Sequence, residues 1–471
     1  MKRLLTLLRR NWIYFATITL VALAVRLFFV WRYPHVAGDS FVYGDIARHW
    51  LHHGIYGVTD NGLIRPTLIR LPGYPAFLAA IFKIFGSEHY GAVMIIQAII
   101  DTNTCLVIAA LAFELMNDRA AKAAYLLAAI CPFAANYTAA PLSETLAIFC
   151  TAHCFYYGVR GLKALQAGEP AKRLWCIAGV WTGAALLIRP DDGIIMVAFA
   201  LALASLLLGS ISKRRLLTAG LLFFFCGLAP LVPWTIRNWR TFRLIQPLAP
   251  RYANDPGEFV PSGFNHWVKT WIVDYVSVEN IYWHVSGEDI SIGDLPERAF
   301  DSRLAYDRTE SIFDEYSQQL SVDSDLDREF ENLALQRMSH NPFRYYAWLP
   351  MLRMADMWLR PRTEMLPVDS RWWEFSKHRG QSSFAVIWAG INLAYLLLAW
   401  RGWSNGNFGA AGVAIVSFLV LRTVFLSTLE NPEPRYVLEC FPMVLALAGG
   451  AFSRLPVKTL PSSESPKRTH E

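Results

Sequence analysis

The chain has 471 residues, of which 54% are hydrophobic and only 17% charged, with 44 Lys and Arg against 38 Asp and Glu for a net charge of +6. A soluble globular domain carries about 25% charged residues. The low charge and a mean hydropathy of +0.28 therefore exclude an ordinary soluble protein. The basic residues lie in short clusters beside apolar runs: Lys2, Arg3, Arg9 and Arg10, then Lys213, Arg214 and Arg215, then Lys467 and Arg468. That placement is membrane topology patterning, not a nucleic-acid footprint. The seven cysteines form no CxxC, so they point to neither a disulfide framework nor a thiolate metal site.

In chain order, the first apolar run ends in bulky residues around Trp31, without a small-residue cleavage site, and is expected to stay as a signal anchor. At about 20 apolar residues per span, the runs predict about ten transmembrane helices. They fall at 12–32, 89–115, 120–138, 143–160, 174–189, 192–209, 216–234, 384–401, 408–427 and 436–453. The stretch 72–86 (PGYPAFLAAIFKIFG) is only 15 residues long and is interrupted by Lys83, which suits an interfacial helix. With a cytoplasmic N-terminus every short inner loop then carries basic residues: Arg119 and Lys122; Arg160, Lys163, Lys172 and Arg173; Lys213 to Arg215; and Arg401.

This model divides the chain into an N-terminal transmembrane module (1–234) containing a first outer loop (32–90), an extramembrane outer domain (235–383), C-terminal transmembrane helices (384–453) and a disordered cytoplasmic tail (454–471). Within the outer domain, 274–331 holds sixteen acidic side chains against four basic ones, and 302–317 reads as a polar, soluble helix. The expected fold class is an all-α polytopic membrane protein with interfacial helices in the first outer loop and a mostly helical outer domain.

Five polar motifs fall on one side of this topology: Gly38-Asp39-Ser40, Pro141-Leu142-Ser143-Glu144, Arg189-Pro190-Asp191-Asp192-Gly193, Arg237-Asn238 with Arg240, and the run from Glu430 to Tyr436. Ionisable groups near membrane depth are costly and usually mark function. Each motif also has a structural reading. Asp39 suits a helix cap, Glu144 complements a helix dipole, RPDDG makes a turn, and Arg435 with Tyr436 could anchor at the interface. His49, His52 and His53 share a helix face without a matching carboxylate, so no metal site is expected. Asn136-Tyr137-Thr138 matches the glycosylation pattern but falls at a membrane edge and is discounted.

The ordered series GDSFVYGDIARHWLHHGIY, RLPGYPAFLAAIFKIFG, PLSETLA, LLIRPDDG, VPWTIRNWR and EPRYVLECFP resembles the GT-C membrane glycosyltransferases of the protein O-mannosyltransferase and aminoarabinose-transferase type, family 39-like. The resemblance is good over about 12–240, thins through the acidic outer domain and returns at the last spans. It implies a GT-C-like fold and transfer of a sugar from a polyprenyl-phosphate donor to a lipid, glycan or protein acceptor on the outer face. It also implies a bacterial inner membrane, with the site facing the periplasm. Because the family's catalytic acid lies in the first outer loop, the resemblance makes Asp39 the general base. The family often has Asp-Glu there, whereas Ser40 follows Asp39 here, so Asp45 and Glu144 stay as further catalytic candidates. The matching motifs assign Tyr43, Arg70, Pro72, Tyr74 and Asp191 to the substrate pocket.

The chemistry agrees with this reading. A departing lipid phosphate needs cationic stabilisation, which arginine supplies with its planar fork. Arg189, Arg237, Arg240 and Arg435, with Tyr436, are the donor-phosphate candidates. A single base and a direct displacement imply inversion, because retention would need a second carboxylate as nucleophile. Partial burial is expected to raise the Asp39 pKa toward the working pH. No cofactor and no nucleic acid are expected, and a divalent metal stays open. The alternatives are a transporter or lipid flippase, which would place its ionisable groups at mid-membrane on repeated broken helices, and a non-catalytic envelope scaffold.

Overall fold

The structure, a computed structural model, describes residues 2–453, with side chains from Leu5 onward; the predicted tail at 454–471 lies outside the described residues. Helices dominate because a chain in hydrocarbon must satisfy its backbone groups internally. Five of the ten predicted spans are single helices long and apolar enough to cross a membrane: Trp12–Arg32, Tyr90–Leu115, Pro190–Leu208, Phe375–Ser404 and Gly409–Ser427. A sixth is the pair Lys213–Leu228 and Leu231–Phe242, bent by 42°. The break falls at Pro230, which has no N–H with which to continue the first helix.

The other four predicted spans are also helical but shorter or more polar. The run 120–138 breaks before Pro132 into Asp118–Ala129 and Pro132–Tyr137. Those at 143–160 and 174–189 are the helices Glu144–Gln166 and Lys172–Leu186. The run 436–453 splits into a 3-10 segment, Pro434–Cys440, and a helix, Phe441–Gly450, whose ten residues are all buried. This last helix is sheathed by protein on every side, so small residues matter more in it than apolar length. It crosses Phe375–Ser404 so closely that a Cβ on Gly402 would lie 1.7 Å from the Leu447 carbonyl oxygen. It meets Asp118–Ala129 at Gly449, where a Cβ would be 2.4 Å from the Ala120 oxygen.

A buried ion pair ties the first span to the second. Arg26 Nε donates to Asp101 Oδ2 at 2.9 Å, and both side chains are at most 2% exposed. The same guanidinium donates to the carbonyls of Ala128 and Ala129, which end the Asp118–Ala129 helix.

Between these spans lie the helix Asp39–His53, a β-hairpin of Gly57–Asp60 and Leu63–Pro66, and the helix Gly73–Phe85. The hairpin turns at Asn61-Gly62, both with positive φ (50° and 78°), the geometry that Asn-Gly favours. Gly73–Phe85 has 13 residues, about 20 Å of helix, short of the roughly 30 Å hydrocarbon core.

The segment 235–383 carries its own core, in which Trp267, Trp271, Phe313, Phe330 and Tyr316 are buried among the helices Ser262–Lys269, Arg303–Gln319 and Ser324–His340. Its ties to the remainder include two on opposite parts of the segment. Asp255 accepts from the backbone N–H of Leu68 (2.8 Å), and buried Arg353 donates to the carbonyls of Ile272 (2.8 Å) and Ser427 (3.1 Å).

Candidate active site

The first-loop helix, the spanning helices and the segment 235–383 together enclose a cavity of about 1420 Å³. One end is charged, lined by Asp39, Arg70, Glu144, Arg189, Asp191 and Arg435, with Tyr43 and Tyr436 beside them. Ile194, Val197 and Phe425 give it an apolar flank, on which Val197 and Phe425 are exposed.

Four separate stretches of chain deliver the charges. Asp39 is the first residue of its helix, after Gly38 at φ +53°. Its side chain turns to arginines. Arg70 Nη2 donates to Asp39 Oδ1 at 2.7 Å, and Arg435 Nη2 lies 3.6 Å from Oδ2. Glu144 opens the helix Glu144–Gln166 and is 2% exposed. Its Oε1 is 3.4 Å from Arg189 Nη1 and 3.6 Å from Arg435 Nη1, whereas its buried Oε2 has no hydrogen-bond partner. One carboxylate thus bridges Arg189 and Arg435.

Both arginines are held from behind. Arg189 Nε lies 2.9 Å from Glu439 and 3.4 Å from Asp191, with its guanidinium 5.0 Å from the Tyr436 ring centre. Arg435 Nε is 2.6 Å from Glu433 Oε2, and Tyr436 donates its hydroxyl to Glu433 Oε1 at 2.6 Å. Behind them, fully buried Arg422 meets Asp191 (2.6 Å), Asp192 (3.1 Å) and Glu439 (2.7 Å). Charges this deeply buried persist only when each is paired. The Arg189–Arg422 network therefore fixes the cavity wall. Sequence reasoning missed Arg422, Glu433 and Glu439 as site residues. An isolated arginine inside an otherwise apolar helix was the available signal for Arg422.

Not every candidate residue reaches the cavity. Asp45 accepts from the Thr59 N–H (2.6 Å), pairs with Arg48 and lies 3.0 Å from His49 Nε2, so it braces the hairpin. His49 therefore does meet a carboxylate. Even so, among the described residues no group of three His, Cys, Asp or Glu side chains is placed to hold a metal ion.

Arg237, a donor-phosphate candidate, is turned away to donate to the carbonyls of Thr67 (2.7 Å) and Tyr56 (2.6 Å), between the rings of Tyr56 and Trp234. Arg240 is exposed on the same helix, outside the cavity lining. Pro72 precedes the helix Gly73–Phe85, whose first N–H donates to the Leu187 carbonyl at 2.7 Å and so fastens RLPGY to the RPDDG turn. Tyr74 is wholly buried, donating to Gln97 (2.7 Å) with its ring edge-on to Tyr43 (4.9 Å). Pro72 and Tyr74 act behind the wall. Asn136 is 2% exposed, which closes it to glycosylation in the folded chain.

The electrostatics of Asp39 run opposite to the expected direction. Burial alone would raise its pKa, but the guanidiniums of Arg70, Arg435 and Arg189 outweigh that and hold the carboxyl below its ordinary range. The reason is the count of cations: three face this one carboxylate.

Residues 66–234, about a third of the chain, match the family model for dolichyl-phosphate-mannose-protein mannosyltransferase. No curated protein matches. Among solved structures, the archaeal oligosaccharyltransferase AglB from Archaeoglobus fulgidus, in complex with an inhibitory peptide and a dolichol-phosphate, aligns at a TM-score of 0.51 and 12% identity, covering 94% of this chain and 50% of that one. ArnT from Cupriavidus metallidurans, bound to undecaprenyl phosphate, aligns at a TM-score of 0.38 and 15% identity, covering 93% and 77%. The chain spans about half the length of AglB, and at such identity the likeness is one of fold. The chain has the all-α fold of the GT-C membrane glycosyltransferases, and residues 66–234 carry the mannosyltransferase sequence pattern.

Proposed function

We propose that this protein transfers a hexosyl or pentosyl group from a polyprenyl-phosphate donor to an acceptor at the outer face of the membrane, with inversion and with Asp39 as general base. The observation that carries the reading is the meeting, at the charged end of one cavity, of a partly exposed carboxylate, Asp39, with the arginines 189 and 435 beside an apolar flank. That arrangement suits a substrate that is anionic at one point and hydrocarbon beyond it. The dolichol-phosphate held by AglB supports the same class of donor.

In the reaction, an acceptor hydroxyl or amine attacks the anomeric carbon while the bond from that carbon to the phosphate oxygen breaks. The acceptor proton passes to the Asp39 carboxylate. The bonding electrons leave with the lipid phosphate, and the developing charge falls to Arg189 and Arg435, whose rigid forks need no reorganisation as it forms. Arg70 holds Asp39 in place. A donor phosphate competes with Asp39 and Glu144 for Arg435, and each arginine contact it takes from Asp39 returns basicity to that carboxylate. Arg237 and Asp45 act structurally in this scheme, as braces of the first loop.

The proposed setting is a bacterial inner membrane with the site facing the periplasm. A transporter reading would need charges in repeated broken helices near mid-membrane, and the carboxylate-arginine cluster at helix ends favours the transferase. The test is transfer from a radiolabelled polyprenyl-phosphate sugar by protein in nanodiscs. Release of polyprenyl phosphate with label in an envelope acceptor supports the reading, and transbilayer movement of the intact donor without cleavage would replace it with the flippase.

A further inference from the structure

The charged end accounts for only part of the cavity. At about 1420 Å³ the space exceeds the range of about 300–1,000 Å³ typical of a pocket for one drug-sized ligand. Its other end is built from residues 250–286 and differs in chemistry. Phe259 and Trp283 line it at 54% and 46% exposure, with Tyr252 between wall and cavity. Large rings left exposed in a concavity with a polar rim mark a binding surface. Trp283 directly follows a π-helical turn, Val278–Tyr282, a rare conformation found most often at functional sites. Its ring is steadied edge-on by Tyr275 at 5.7 Å.

We infer that this end is an acceptor subsite for a carbohydrate chain, stacked on the faces of Tyr252, Phe259 and Trp283, an assignment that rests on the transferase reading above. A sugar ring offers an apolar C–H face and an edge of hydroxyls. The lining offers both: the aromatic side chains share it with the amide of Asn254, the carboxylate of Glu258 and the hydroxyl of Ser286.

The charges here favour a neutral ligand. Arg251 and Lys269 are both committed to Glu430, at 2.5 and 3.7 Å. With Glu258 also in the lining, these two cations are balanced by two carboxylates. An extended peptide is most simply held by adding to a sheet edge, and the hairpin at 57–66, the sheet among the described residues, lies outside the lining. The apolar flank suited to a lipid tail belongs to the helices Pro190–Leu208 and Gly409–Ser427 rather than to this segment. The attacking group is then a sugar hydroxyl, delivered to Asp39 from the 250–286 side while the donor enters from the flank.

The test uses full-length protein in nanodiscs and two probes: undecaprenyl phosphate in solution, and an array displaying neutral hexose, hexosamine and uronic-acid oligosaccharides. The expected result is oligosaccharide binding that falls about tenfold or more in Trp283→Ala and is largely kept in Trp283→Phe, with undecaprenyl phosphate affinity unchanged in both. Undecaprenyl phosphate binding without oligosaccharide binding, or oligosaccharide binding indifferent to Trp283→Ala, would overturn the subsite. Loss of lipid phosphate binding beside intact, Trp283-dependent oligosaccharide binding would overturn the transferase reading and leave the subsite standing.

Discussion

Asp39 faces three guanidiniums, and their effect on its proton affinity decides how the site responds to pH. A carboxyl held below its ordinary range stays ionised where a free aspartate would begin to protonate. The transfer rate is therefore expected to show no acid limb from Asp39 between about pH 7 and about pH 5. A rate that falls with an apparent pKa in that window would assign the limb to another group. At the arginines, charge alone is insufficient because each fork serves two or more carboxylates at once. Arg435→Lys should leave undecaprenyl phosphate binding impaired and Arg435→Ala should impair it further. Arg237→Ala should instead lower thermal stability and leave phosphate affinity unchanged, because its guanidinium is spent on the carbonyls of Tyr56 and Thr67. Equal losses of phosphate affinity at both positions would contradict this division. The distinction was not legible in the sequence, where both arginines stand in similar motifs; it depends on which way each side chain turns.

At the scale of elements, stability depends on close crossings and on one half-buried acid in the segment 235–383. Gly402→Ala places a methyl against the backbone of Phe441–Gly450, which cannot move aside without disturbing Asp118–Ala129. Such overpacking should destabilise by about 1–3 kcal/mol, read as a lowered Tm in detergent. Asp356, on the helix Leu349–Leu359, accepts from the Tyr275 N–H at 3.0 Å. Burial raises its pKa from 3.8 to about 6, against the pull of Arg360 and helped by Asp274. The folded value lies above the unfolded one, so its stabilising contribution is complete below the unfolded pKa and is lost as pH rises through about 6. The difference corresponds to about 3 kcal/mol. Asp356→Asn should flatten that part of the pH dependence of Tm, and an unchanged slope would remove Asp356 as its source.

Helices of this kind were readable where apolar length alone defines them, as at Trp12–Arg32 and Gly409–Ser427. Their breaks were less so. Pro132, Pro230 and Pro442 are visible in the sequence, but whether a proline kinks, splits or merely starts a helix depends on its neighbours in space. The Asn61-Gly62 turn carried a hairpin signal that apolar periodicity did not reveal. The convergence of Asp39, Glu144, Arg189 and Arg435 was legible as common sidedness. The pairing of Arg422 with Glu439 and both aspartates was not, because partners from distant helices leave no local pattern.

For the whole molecule, the topology expected from the basic loops would put Ser302 outside and Ser212 inside. Both are exposed, so an impermeant thiol reagent applied to intact cells should label Ser302→Cys and spare Ser212→Cys, with Cys176 and Cys226 replaced by alanine. The reverse pattern would put the cavity on the wrong side for an outer-face acceptor. The central claim is that Asp39 carries out glycosyl transfer from a polyprenyl-phosphate sugar. Lipid analysis of a host strain lacking the protein tests it most directly, with the wild type, Asp39→Asn and Asp45→Asn returned in turn. A polyprenyl-phosphate sugar should accumulate in the deletion strain and be cleared by the wild type and largely by Asp45→Asn. It should persist with Asp39→Asn, whose turnover should drop by about 10²–10⁴-fold. Clearance by Asp39→Asn at the wild-type rate, or no accumulation in the deletion strain, would contradict the account.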